Sequence, residues 1–136
     1  IIRTHRPACV IGAYMCPWTP EAYESALRRI FAQDYDLLAP SIDVFTPLIY
    51  CEKSGRPPSW PRDFLSKSRD FVPKENKVQL ILDMLDFPES LTAAAEAQPP
   101  SWGIQMFGGA PIFDDPDDAA LFRAAVERIR RSIAET

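Results

Sequence analysis

Hydrophobic and polar positions alternate along the chain in blocks: four apolar runs, each followed by a stretch of helical periodicity. The first run, residues 8–16, is almost continuously apolar, as a strand buried on both faces must be. Pro17-Trp18-Thr19-Pro20 ends it, with Thr19 reading as a helix N-cap and Pro20 as the first helical residue. Tyr23, Ala26, Leu27, Ile30 and Phe31 then recur at helical spacing, predicting a helix that continues through Leu38 and stops at Pro40. The second run, residues 43–51, holds Pro47, which has no N–H for a central ladder, so a bulge or rim distortion is expected there. A loop at residues 54–58 leads to a short helix with Trp60, Phe64, Phe71 and Val72 on one face. The third run covers residues 77–86, and an alanine-rich helix from about residue 89 to 97 follows it. The fourth, residues 102–107, ends at Gly108-Gly109. Asp115 then caps a helix with Pro116 in its first turn and Asp117 and Asp118 at its positive end. Phe122, Ala125, Val126, Ile129 and Ile133 form its apolar stripe, with Arg128, Arg130 and Arg131 toward the negative end.

Strands alternating with helices at a repeat of roughly 30 residues predict right-handed crossovers and a parallel sheet. The pattern fits an α/β fold of four consecutive β/α units, half of a (β/α)8 TIM barrel, whose complete form takes about 250 residues. A small doubly wound sheet with helices on both faces is the competing fold; it normally carries a fifth strand, and only four runs are visible. Four units leave two bare sheet edges, which invite self-association or pairing with a missing N-terminal half. Residues 1–136 are expected to be a single domain, the C-terminal half of a larger barrel. The chain starts at Ile1, and residues 1–6 read as neither a signal peptide nor a start site. A truncated or processed piece is therefore expected, and the compartment stays open.

Composition narrows the partners. A net charge of −4 with no clustered basic face argues against a nucleic-acid surface. No run of eighteen apolar residues is present, so no membrane span is expected. Cys9, Cys16 and Cys51 lack paired metal-ligand spacing. Cys9 and Cys16, on one extended run, stand roughly 23 Å apart, beyond disulfide reach. Cys16 and Cys51 fall at equivalent strand ends and could meet, but buried free thiols are the favoured reading. His5, the single histidine, precedes the first strand, which disfavours a histidine-based metal or catalytic site. No metal or cofactor is expected.

In parallel α/β folds the working groups gather at the carboxyl ends of strands. Residues of one strand phase share a face. Tyr14 and Cys16 share one phase on the first strand, Thr46, Tyr50 and Glu52 on the second, Gln79 and Asp83 on the third, and Gln105 stands on the fourth. Polar groups in apolar strands are costly unless satisfied, so a binding site or a buried hydrogen-bond network is expected. Asp83 is the sharpest of them, a candidate general acid or base, with a simple ion pair as the bland alternative. Glu52 is the second catalytic candidate, Lys53 beside it reads as solvated, and Asp86 reads as a loop acid or cap. Tyr14, Trp18, Tyr50, Gln105 and Phe107 are the candidate substrate-binding residues, aromatic faces there being suited to sugar rings, while Trp60 reads as packing. No dinucleotide fingerprint, P-loop, nucleophile elbow or H-E-x-x-H occurs, and Gly108-Gly109 alone is a weak phosphate signal. The acids at positions 114–118 do not follow a calcium-loop pattern.

The segment Asp43-Val44-Phe45-Thr46-Pro47-Leu48-Ile49-Tyr50 resembles a late strand of glycoside-hydrolase-like TIM barrels. Such strands begin with Asp and end in a Pro-Met-x-Tyr pattern, with Leu48 here in place of methionine. Gly103-Ile104-Gln105-Met106-Phe107 is similar to the last strand of those barrels, and the chain order suits strands five to eight. The resemblance implies a barrel that acts on or binds carbohydrate, with Tyr50 in the sugar-binding mouth. Hydrolysis in such barrels normally takes two carboxylates. The acid/base of the fourth strand would precede Ile1, so this chain alone is expected to lack part of the catalytic site. A non-catalytic interaction or oligomerisation module, or another sugar-processing barrel enzyme, are the alternatives.

Overall fold

The computed structural model describes residues 1–135. A short helix α1 (Ile2–His5) precedes strand β1 (Gly12–Met15). Helices α2 (Ala22–Arg29) and α3 (Tyr35–Leu38) lead to β2 (Val44–Ile49), then a 3-10 turn (Glu52–Ser54) and α4 (Trp60–Ser68). The third extended run is split into β3 (Lys77–Val78) and β4 (Leu80–Asp83), followed by a 3-10 turn (Met84–Asp86) and α5 (Glu89–Ala95). Strand β5 (Ile104–Phe107), a 3-10 turn (Ala110–Phe113) and the long α6 (Pro116–Ala134) complete the order.

All strand pairings are parallel, and the main path runs β1-β2-β4-β5, with β3 also paired to β2. The protein is therefore a mixed α/β structure on a parallel sheet. Val44 lies opposite Lys77 and Leu48 opposite Ile81, the same offset before and after Pro47. Pro47 thus leaves no bulge. The pairing simply lapses opposite it, because it has no N–H to donate, and resumes in register. The same lapse divides β3 from β4.

One face of the sheet carries the core. Ala13, Met15 and Phe45 pack with Leu27 and Tyr35, while Ile49, Leu80, Leu82, Ile104 and Met106 pack with residues of α4, α5 and α6. Every one of these strand residues belongs to the same phase in the observed register, so the helices cover one side. The opposite phase holds Tyr14, Thr46, Leu48, Ile81, Asp83, Gln105 and Phe107. The expectation of strands buried on both faces fails at the ends of this second phase: Tyr14 is 65% and Phe107 57% exposed.

The first predicted helix is the largest departure. It is broken in two, Thr19 makes no cap, and Tyr23, Glu24 and Ser25 stand in the left-handed region with φ of 52°, 55° and 61°. Three successive non-glycine residues there cost about 1–2 kcal/mol each. The final helix follows its sequence signals closely. Asp115 Oδ1 accepts from the N–H groups of Asp117 at 2.8 Å and Asp118 at 3.2 Å. Gly108-Gly109 is a turn: Gly108 has φ of +70°, and a Cβ on Gly109 would lie 2.6 Å from that of Met106.

Candidate functional site

The carboxyl ends of β2, β4 and β5 converge on one group of side chains. Asp83 closes β4 with its side chain only 4% exposed, and the Lys53 Nζ donates to its Oδ2 at 2.5 Å. The other carboxylate oxygen accepts from the Leu85 N–H at 3.1 Å, which starts the following turn. The rings of Tyr50 and Phe107 stand 5.6 Å apart at an interplanar angle of 32°. Lys53 Nζ lies 5.1 Å from the centre of the Tyr50 ring and 5.3 Å from that of Phe107. Asp83 and Phe107 are direct partners across the β4–β5 ladder, which accounts for their shared face.

Lys53 reaches this place because the chain turns sharply after β2. Asp86 holds that turn: its Oδ2 accepts from the Cys51 N–H at 2.7 Å and its Oδ1 from the Glu52 N–H at 2.9 Å. The carboxylate is buried, and it joins the end of β2 to the turn after β4. Asp86, read from sequence as a loop acid or cap, thus caps a turn far from it in the chain rather than the helix that follows it.

The electrostatics follow from these contacts. Burial alone would push the Asp83 carboxyl up, but the Lys53 ammonium and the Leu85 N–H pull it below its ordinary value of 3.8. Lys53 is raised above 10.5, chiefly by its hydrogen bond to Asp83. Burial pushes the Tyr50 phenol up, with Asp83 and Tyr14 adding to the rise and Lys53 opposing it. At neutral pH the group is therefore an ammonium–carboxylate pair beside two aromatic rings that face each other. Asp83 in this state accepts hydrogen bonds or a proton and is a poor proton donor.

The other predicted residues divide. Tyr14 lies on the same sheet face, opposite Thr46, and is close enough to Tyr50 to affect its ionisation. Gln105 pairs with Ile81, one step below the Asp83–Phe107 row on the same face. The backbone N–H of Glu52 binds Asp86, but its side chain is exposed and makes no hydrogen bond or ion pair among the described residues. The lysine beside it joins the cluster instead. Trp18 sits apart, with its ring centre 4.8 Å from that of Tyr23 and 5.4 Å from that of Phe31. The missed residue is Lys53. Its only sequence signal was its position just past a strand whose end carried Tyr50.

Asp43, which begins the second apolar run, does a local job. It accepts from the Ile11 N–H at 2.8 Å and from Arg3 at 2.9 Å, which lowers its carboxyl, the backbone N–H contributing most. All three cysteines are free: Cys9 is exposed, Cys16 partly buried and Cys51 buried. Among the described residues no group of three or more His, Cys, Asp or Glu side chains is placed to hold a metal ion. No described helix is long and apolar enough to cross a membrane. Comparison with protein-family models, with curated proteins and with solved structures found no match for this chain.

Proposed function

We propose that the chain is a carbohydrate-binding part of a glycoside-hydrolase-like barrel, four β/α units that form half of a (β/α)8 arrangement. The observation that carries this reading is the Tyr50–Phe107 ring pair lying beside the Lys53–Asp83 ion pair at the strand ends. Aromatic rings give a sugar its stacking surfaces, and a held carboxylate and ammonium supply the acceptor and donor its hydroxyls need. Strand order without reversal and helices on one face support a singly wound barrel arrangement over a doubly wound sheet.

In this reading Tyr50, Phe107 and Tyr14 line the mouth, Gln105 lies deeper, and Asp83 binds a hydroxyl or serves as one carboxylate of a pair. The chain alone is then a binder without hydrolytic activity, because one carboxylate of the usual two is in place. The test is titration with soluble oligosaccharides, comparing the wild type with Phe107→Ala and Asp83→Asn. Weakened binding in both variants supports the proposal. Wild-type protein that binds no sugar at millimolar concentration removes it.

The exposed Tyr14 and Phe107 and the free edges of β1 and β5 favour a second reading, an interaction module that pairs with another chain or a second copy. Sizing with light scattering tests it: a concentration-dependent dimer supports it, and a monomer at high concentration counts against it.

A further inference from the structure

The turn that carries Lys53 also borders a second concave surface. Ser54 and Arg56 of the loop after β2, Trp60 and Asp63 of α4, and Trp18 and Tyr23 line it. Its volume is about 520 Å3. Tyr23 is 66% exposed, and its ring stands edge-to-face with Trp18. Opposite, the Arg56 guanidinium covers one face of Trp60 at 5.8 Å from the ring centre. Among the described residues neither the Arg56 guanidinium nor the Asp63 carboxylate has a hydrogen-bond or ion-pair partner.

The backbone that presents Tyr23 is the strained turn already described, with Tyr23, Glu24 and Ser25 all left-handed. Such strain persists where surrounding structure holds it, and it gathers at ligand sites. An open tyrosine ring near a guanidinium and a carboxylate that lack ion-pair partners matches one ligand chemistry well. Sugar C–H faces lie on the rings, while a guanidinium and a carboxylate take pairs of neighbouring hydroxyls.

We infer that the groove between Tyr23 and Arg56 is a second sugar subsite, so that the ligand is a carbohydrate chain running from the strand-end mouth across the 52–57 turn. The inference rests on reading the mouth as a sugar site, and it adds the substrate's length. A single sugar engages the mouth alone. A chain that spans both surfaces gains the groove as a tethered second contact.

The experiment is calorimetric titration of the 136-residue protein with one oligosaccharide type at one to six units. The wild type is compared with Tyr23→Ala and Arg56→Ala in the groove and Phe107→Ala in the mouth. Tyr23 and Arg56 are exposed, so their replacement leaves the core in place, and circular dichroism confirms the fold. The expected result is affinity that rises with length in the wild type, with the groove variants about tenfold weaker only for the longer chains. Phe107→Ala then weakens binding at every length. Groove variants that match the wild type at all lengths, with Phe107→Ala weakened, overturn the groove and leave the mouth. Length-dependent loss in the groove variants with Phe107→Ala unchanged keeps the groove and overturns the mouth. No binding at any length overturns both.

Discussion

Lys53 and Asp83 lie thirty positions apart in sequence, yet the ammonium of one donates to the buried carboxylate of the other. Replacing Lys53 with Met would leave Asp83 buried with the Leu85 N–H as its remaining partner. Because Asp83 is held below 3.8, its share of stability is present above that value and fades as pH falls through its folded value. Lys53 is raised above 10.5, so its share is present below that value and fades only in strong alkali. Lys53→Met should therefore lower stability at pH 7. At pH 3 the cost should be smaller, since the Asp83 carboxyl is then closer to its neutral form, which needs the ammonium less. Urea melts at the two pH values check this, and equal losses would contradict it.

Asp86 should matter more to the fold than to the ligand. Asp86→Ala leaves two backbone N–H groups without their acceptor, one at buried Cys51 and one at Glu52. A loss of about 2–4 kcal/mol is expected. If sugar binding is intact in the wild type, it should also weaken, because Lys53 loses its fixed turn. Asp86→Asn keeps one acceptor and should recover part of both effects. Denaturant melts of the two variants decide the order.

The thiols should separate by accessibility. Cys51 is fully buried, and burial, with Asp86 nearby, pushes its thiol up to about 12. Burial raises Cys16 as well, whereas Cys9 is exposed. In native buffer at pH 8 a thiol reagent should label Cys9 first, Cys16 slowly and Cys51 only after denaturant is added. Fast labelling of Cys51 in the folded protein would contradict the packing around the end of β2.

Helix capping offers a paired test. Asp115→Ala should cost about 1 kcal/mol, because Asp115 accepts from two N–H groups at the start of α6. Thr19→Ala should change stability by less than about 0.5 kcal/mol, since no cap forms there. Thermal melts of both variants suffice.

The contrast between those two residues shows what the sequence could reveal. Asp115-Pro116-Asp117-Asp118 concentrates cap, proline and dipole signals ahead of a regular apolar stripe, and the helix starts where they say. Thr19-Pro20 carries the same first two signals. There the turn that sets Tyr23 against Trp18 and Leu27 into the core wins over local propensity. The strands were legible because their apolar runs are long, and Asp83 stood out as a charge inside one. Its partner was not legible. Lys53 is one of several surface lysines until Asp86 folds the turn that aims it, and that contact spans 34 to 35 positions. Strand phase points to Glu52 rather than Lys53, and that phase no longer holds once the chain leaves β2 for a 3-10 turn.

The most direct test of the carbohydrate reading is a nitrogen–proton correlation spectrum of the assigned protein, recorded while an oligosaccharide is added. The account predicts saturable shifts centred on Tyr50, Lys53, Asp83 and Phe107, lost in Phe107→Ala. A spectrum unchanged by sugar, or shifts confined to the helix-covered side of the sheet, would contradict it.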